Sequence, residues 1–151
     1  MLKNIDPLLT PELLKVLAEM GHGDEIVLAD ANFTAASLAA GKPLIRLAGA
    51  GMRAACSAVL SVLPLDAHVQ QPIAYMHVGG SAPDYRSALQ REIVDDIVAG
   101  AVASAAQCEA MERFAFYERT RRAFAVVQTG ELEPWGNFLF KKGVIARELR
   151  Q

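Results

Sequence analysis

Short apolar runs bounded by turn residues alternate along this chain with stretches of helical periodicity. Each run is four to six residues long, as is typical of a buried strand. Strands are predicted at residues 25–30, 44–47, 73–78, 123–128 and 138–142, with a short strand or turn around 111–113. Strands that alternate with helices build a layered domain on a mainly parallel sheet. We therefore expect one three-layer α/β/α domain over residues 1–151, with a mostly parallel, Rossmann-like sheet.

The first helix carries the clearest start signal in the sequence. Thr10 has the residue type of an N-cap, Pro11 suits the first helical position, and Glu12 places an acid in the first turn. Apolar residues then recur at helical spacing, and Gly21 is placed to end the helix. Further helices are predicted at residues 54–63, at 117–122 and in a long pattern that opens at 81–84.

Composition excludes several classes of protein. The hydrophobic fraction is 52%, which is high for a monomer of 151 residues and favours buried subunit interfaces. No run of 18 apolar residues predicts a membrane span, and residues 1–7 lack the pattern of a signal peptide, so a cytoplasmic location is expected. Cys56 and Cys108 are expected to be reduced core thiols. The net charge of −2 argues against a nucleic-acid partner, and the basic cluster at 119–122 is interpreted as a solvated helix face.

The segment MGHGDEIVLADANF, residues 20–33, combines candidate acid–base residues with a strand. Asp30 follows the strand, at the edge where open α/β sheets bind ligands. His22 lies between two glycines, so it is either part of a structural turn or a proton-transfer group that Asp24 orients. If Asp24 does not orient His22, its expected role is to cap the backbone amides of the turn. An extended strand of six residues spans about 20 Å, so His22 and Asp30 meet only through a folded-back loop or a neighbouring subunit.

Two later segments carry groups suited to a sugar. In ERFAFYER, residues 112–119, Arg113 precedes a helix and is a plausible donor to hydroxyl oxygens. In Trp135-Gly136-Asn137 the indole suits the C–H face of a sugar, and the amide both donates and accepts hydrogen bonds. The aromatic spacing of the first segment also fits plain core packing.

Other chemistries have weaker support in the sequence. A metal site from His22, Asp24 and Asp30 is an open alternative, but no HxH, HxxxH or CxxC spacing supports it. His68 and His77 are isolated and are interpreted as structural. Residues 49–51 lack the lysine–serine pattern of a phosphate loop, and no covalent nucleophile motif occurs.

Three segments together resemble one family. PELLKVLAEMGHGDEIVLADANF, ERFAFYERTRRAFAVVQTGE and WGNFLFKKGV are similar, in order and spacing, to the family of L-fucose mutarotases and D-ribose pyranases, and closer to the fucose branch. The resemblance covers most of the chain and is weakest between residues 34 and 106. It implies a cofactor-free enzyme that interconverts the α and β anomers of a free monosaccharide such as L-fucose.

The resemblance also implies site residues and an assembly. His22 matches the proton-transferring histidine, while Asp30, Arg113 and residues 135–137 match sugar-binding positions. The expected assembly is a homo-oligomer, typically a decamer, with sites near subunit contacts. Trp135 stands where the family usually has tyrosine, and Ala48 stands where it has an acid. Because an indole cannot accept or exchange a proton as a phenol can, a non-catalytic sugar-binding or regulatory oligomer is the alternative.

Overall fold

The computed structural model describes residues 2–147, which form a six-stranded sheet with helices on both faces. The strands are β1 (Glu25–Ala29), β2 (Leu44–Leu47), β3 (Ile73–Met76), β4 (Cys108–Met111), β5 (Ala125–Thr129) and β6 (Phe138–Lys141). Their order in the sheet is β2-β5-β1-β6-β3-β4. β6 is antiparallel to both its neighbours, β1 and β3, whereas the other paired strands are parallel. The predicted α/β class with a mostly parallel sheet is confirmed.

Two apolar cores lie on the two faces of this sheet. The helices are α1 (Pro11–Glu19), α2 (Ala35–Leu38), α3 (Met52–Leu60), α4 (Ala88–Ala99) and α5 (Arg113–Arg122). Along β1, Ile26 and Leu28 join the core under α1, α3 and α4, while Val27 and Ala29 join the core under α2 and α5. This alternation follows from the two-residue period of a strand, and it gives the three layers that the sequence predicts.

The helix starts were predicted less well than the strands. α4 begins at Ala88 rather than near Ser81, because Ser87 and Gln90 form a reciprocal capping box. The Ser81 hydroxyl instead donates to the carbonyl of Val78 in a turn. α5 includes the predicted residues 117–122 but begins at Arg113, which was expected to precede the helix, because the Glu112 carboxylate accepts hydrogen bonds from two amides of its first turn. The short helix α2 was not predicted.

The basic cluster on α5 is not a uniformly solvated face. Arg119 donates to Glu25 at 2.8 Å and to Glu109 at 2.5 Å, and its side chain is only 17% exposed. It therefore ties α5 to the start of β1 and to β4. Arg121, by contrast, pairs with Glu118 on the exposed side of the helix.

The two cysteines are placed as the sequence predicts. Cys56 and Cys108 are both free and buried, as expected, and burial raises the pKa of each thiol. Within residues 2–147, no helix has the length and apolar character needed to cross a membrane.

Candidate active site

Asp30 and Asn137 form a buried polar pair at the end of β1. Asp30 directly follows β1 and Asn137 directly precedes β6, and the antiparallel register of these neighbours brings the two residues together. The backbone N–H of Asp30 donates to Asn137 Oδ1 at 2.8 Å, and Asn137 Nδ2 donates to Asp30 Oδ2 at 2.9 Å. Asp30 is 5% exposed and Asn137 is 2% exposed. The amide thus holds both the backbone and the carboxylate of Asp30 in one orientation.

Burial is the main influence on the charge of Asp30. It raises the pKa of the carboxyl above its ordinary value, while hydrogen bonds from Asn137 and from the backbone N–H of Asn32 act in the opposite direction. Nearby Glu131 raises the pKa further. A carboxyl whose pKa is raised in the folded state stabilises the fold while it is protonated. This stabilisation is lost as pH rises through the raised pKa.

The variant Asp30→Asn tests this electrostatic description. It removes the titrating group, so its free energy of unfolding relative to wild type should increase, meaning a relative gain in stability, as pH rises from the ordinary value of 3.8 through the raised pKa of Asp30. Urea denaturation of both proteins across this acid range measures the difference. A difference that does not change with pH, or that changes in the opposite direction, contradicts the raised pKa.

The turn that precedes Asn137 is held tightly around Trp135. Trp135 has a positive φ of 67°, which is unusual for a residue with a side chain. Its carbonyl accepts a hydrogen bond from the fully buried Gln90 side chain, which also donates to the carbonyl of Met76. The indole lies against Gly79, where an added Cβ would be 2.8 Å from Cη2 of the ring. Gly79 therefore leaves room for the indole beside the end of β3.

Gly136 allows the same turn to pack closely. A Cβ at this position would lie 3.0 Å from the carbonyl oxygen of Glu133 and 3.0 Å from a methyl group of Leu89. The turn thus places an indole and a buried amide two positions apart, and the amide contacts Asp30.

Arg113 lies at the first position of α5, after β4. Its Nε donates to the hydroxyl of Tyr117 at 2.8 Å, and its guanidinium lies 5.3 Å from the centre of that ring. The Tyr117 ring packs edge-on against Phe33 at 5.5 Å, and the backbone N–H of Phe33 donates to the carbonyl of Asp30. Phe33 and Tyr117 therefore connect the Asp30 turn with Arg113. No role was predicted for Tyr117, because the aromatic spacing within residues 112–119 is equally typical of core packing.

His22 lies at the opposite end of β1. The strand has five residues and spans roughly 17 Å at about 3.3 Å per residue. His22 precedes this strand and Asp30 follows it, so the two side chains do not meet within one chain. Of the predicted site residues, the structure brings together Asp30 with residues 135–137, and it separates His22 from them.

The acid that contacts His22 is Asp66 rather than Asp24. Asp24 Oδ2 accepts the backbone N–H of Gly21 at 2.7 Å, which is the turn-capping role considered for it in the sequence. Nε2 of His22 lies 3.1 Å from Oδ1 of Asp66, a residue 44 positions further along the chain. No local pattern in the sequence marks Asp66, because only the fold places its loop beside the His22 turn.

Known proteins resemble this chain along nearly its whole length. The sequence profile of the RbsD / FucU transport protein family matches residues 3–145. This chain belongs to the RbsD/FucU family. The membership predicted from the three sequence segments is therefore confirmed.

Several members of the family are close to this chain. The human fucose mutarotase is 46% identical over 156 residues, which cover 96% of this chain and 95% of the human protein. The L-fucose mutarotase of Actinobacillus pleuropneumoniae serotype 5b is 44% identical, with coverages of 95% and 97%. The crystal structure of a Streptococcus pneumoniae fucose mutarotase in complex with L-fucose superposes with a TM-score of 0.86 at 38% identity, and covers 96% of this chain and 100% of that chain.

Proposed function

We propose that this protein is an L-fucose mutarotase, a cofactor-independent isomerase that interconverts the α and β anomers of the free sugar. The observation that carries the proposal is the full-length similarity to fucose mutarotases, including one whose structure holds L-fucose. The buried Asp30–Asn137 pair and the partly buried indole of Trp135 support it, since a sugar offers hydroxyl groups on its rim and C–H groups on its faces.

The reaction needs little more than proton transfer. In the proposed mechanism, His22 takes the proton from the anomeric hydroxyl, the bond between C1 and the ring oxygen breaks, and the imidazolium returns the proton to the ring oxygen, directly or through a water molecule. Rotation about the C1–C2 bond and closure by the reverse steps give the other anomer. Histidine side chains commonly act as both general base and general acid near neutral pH, so one residue can serve in both directions.

The remaining site residues bind and orient the sugar. Asp30 and Asn137 would hold hydroxyl groups, because their own mutual hydrogen bonds fix the directions of the remaining lone pairs and N–H groups. Arg113 would donate to a further hydroxyl, and Trp135 with Gly136 would cover an apolar face of the ring. Stacking does not require a proton, so tryptophan in place of tyrosine is compatible with catalysis by His22.

The position of His22 favours an active site shared between subunits. The proton-transfer group lies at one end of β1 and the sugar-binding group at the other, so a complete site would combine the two ends from neighbouring chains. We propose a homo-oligomer, typically a decamer, located in the cytoplasm. The high hydrophobic fraction of the sequence is consistent with buried subunit contacts.

Exchange between anomers tests the proposed function directly. Saturation-transfer NMR on L-fucose should show that the protein raises the rate of exchange between the α and β signals above the spontaneous rate. The same measurement on D-ribose, D-galactose and related sugars should show the largest increase for L-fucose. Binding of L-fucose without faster exchange would instead establish the alternative of a non-catalytic sugar-binding protein.

A further inference from the structure

A buried carboxylate contacts the histidine to which we assign proton transfer. Nε2 of His22 lies 3.1 Å from Oδ1 of Asp66. The side chain of Asp66 is 5% exposed, whereas that of His22 is 46% exposed. An acid shielded from solvent thus faces one edge of a half-exposed imidazole, whose ring centre lies 5.7 Å from that of His68.

The end of β6 holds the His22 turn from one side. The backbone N–H of Gly23 donates to the carbonyl of Lys142 at 2.8 Å, and the N–H of Lys142 donates to the carbonyl of Asp24 at 2.8 Å. These two bonds hold Gly23 and Asp24, the two residues directly after His22, so backbone contacts fix the turn that carries the imidazole.

The same strand end holds the Asp66 loop from the other side. The N–H of Asp66 donates to the carbonyl of Lys141 at 3.0 Å, and the N–H of Gly143 donates to the carbonyl of Pro64 at 2.8 Å. A Cβ on Gly143 would lie 2.3 Å from the carbonyl oxygen of Leu65, so only glycine allows this approach of the two backbones. The pairing of His22 with Asp66 therefore follows from the backbone framework and not from a chance contact of surface side chains.

Asp66 is held as a carboxylate. The backbone N–H of His68 donates to Oδ1 at 3.0 Å and is the main cause that lowers the pKa of Asp66, and the hydrogen bond with His22 lowers it further. An ionised carboxylate only accepts hydrogen bonds, so the shared hydrogen must sit on Nε2 of His22. A neutral imidazole with Nε2–H keeps its lone pair on Nδ1.

We propose that Asp66 is a positioning residue for His22. It orients the imidazole and holds the Nε2–H tautomer, so that Nδ1 is the atom that exchanges the proton with the sugar. It also stabilises the imidazolium that forms when that proton is taken. This inference rests on the proposed function, because it assigns His22 to proton transfer.

The variant Asp66→Asn tests the role with little change in shape. Oδ1 of Asp66 faces both Nε2 of His22 and the N–H of His68, so the asparagine oxygen can keep both hydrogen bonds and the Nε2–H tautomer while the negative charge is lost. Because the imidazolium that forms on proton transfer then lacks its counter-ion, kcat for anomer exchange of L-fucose should fall about 10- to 100-fold, part of the contribution typical of acid–base catalysis, while KM is unchanged. Nitrogen-15 NMR of the imidazole should show Nε2–H in the wild type and in Asp66→Asn, and a mixture of both tautomers in Asp66→Ala, which has no acceptor.

A matched control separates this effect from the simple loss of a charge. Asp96 is an exposed acid on α4 that pairs with Arg53 of α3 at 2.5 Å. Asp96→Asn removes one carboxylate in the same chemical way, and both kcat and the His22 tautomer should stay as in the wild type. A comparable fall in kcat for Asp96→Asn would overturn the assignment of a specific role to Asp66.

A double variant distinguishes failure of this inference from failure of the proposed function. In a His22→Ala background, Asp66→Asn should cause no further loss of exchange, because its effect passes through the imidazole. If His22→Ala is inactive while Asp66→Asn keeps wild-type kcat, or if Asp66→Ala keeps the pure Nε2–H tautomer, the positioning role is overturned. If His22→Ala keeps wild-type exchange, the proposed role of His22 fails instead.

Discussion

Replacing His22 by alanine is expected to reduce enzymatic anomer exchange of L-fucose by about 10²- to 10⁴-fold, towards the spontaneous rate. The reason is that proton transfer by one group of near-neutral pKa is the main catalytic contribution the reaction needs. The side chain is half exposed and lies in a turn held by backbone hydrogen bonds, so the fold should persist without it. Saturation-transfer NMR gives the rate, and circular dichroism checks the fold.

Two further measurements make the test of His22 specific. Added imidazole should restore part of the exchange in His22→Ala, because it supplies the missing base in the space that the side chain leaves. Lys15→Ala removes an exposed side chain from α1, the helix before the His22 turn, and should keep the wild-type rate. Wild-type exchange in a folded His22→Ala protein would remove His22 from the mechanism.

Local patterns in the sequence predict the strands better than the helix ends. Residues 44–47 are a strand as predicted, because a short apolar run between turn residues has few other stable conformations. The start of α4 could not be read in the same way, since both Ser81 and Ser87 have the residue type of an N-cap. The capping box of Ser87 with Gln90, whose three-residue spacing is a local signal, and the turn at Ser81 decide between them.

Much of the candidate site depends on contacts between segments that are far apart in the sequence, and local patterns do not predict such contacts. Strand length alone indicates that His22 and Asp30 meet only through a folded-back loop or a neighbouring subunit, and in the structure they lie at opposite ends of β1. The resemblance to the family singles out Asp30 and Asn137, but their contact depends on the register of β1 against β6, in which Leu28 is opposite Phe138. Asp66 has no motif of its own, and its place beside His22 exists only because β6 holds both loops.

The second large effect is expected when Asn137 is replaced by alanine. The amide satisfies both the backbone N–H and the carboxylate of Asp30 in a buried site, so its removal leaves two polar groups without this partner. We expect the free energy of unfolding to fall by about 2–4 kcal/mol. The pKa of Asp30 should rise further, because a hydrogen bond that lowers it is lost, and L-fucose should bind more weakly.

Urea denaturation at a fixed protein concentration measures the change for Asn137→Ala, since the stability of an oligomer depends on concentration. Asn32→Ala is the matched control, because Asn32 is exposed and reaches Asp30 only through its backbone N–H, which alanine retains. This control should change the free energy of unfolding by less than about 0.5 kcal/mol. Equal losses in the two variants would show that the Asp30–Asn137 pair does not organise this end of the sheet. A loss confined to Asn137→Ala, together with weaker sugar binding, would establish that one amide supports both the fold and the sugar site.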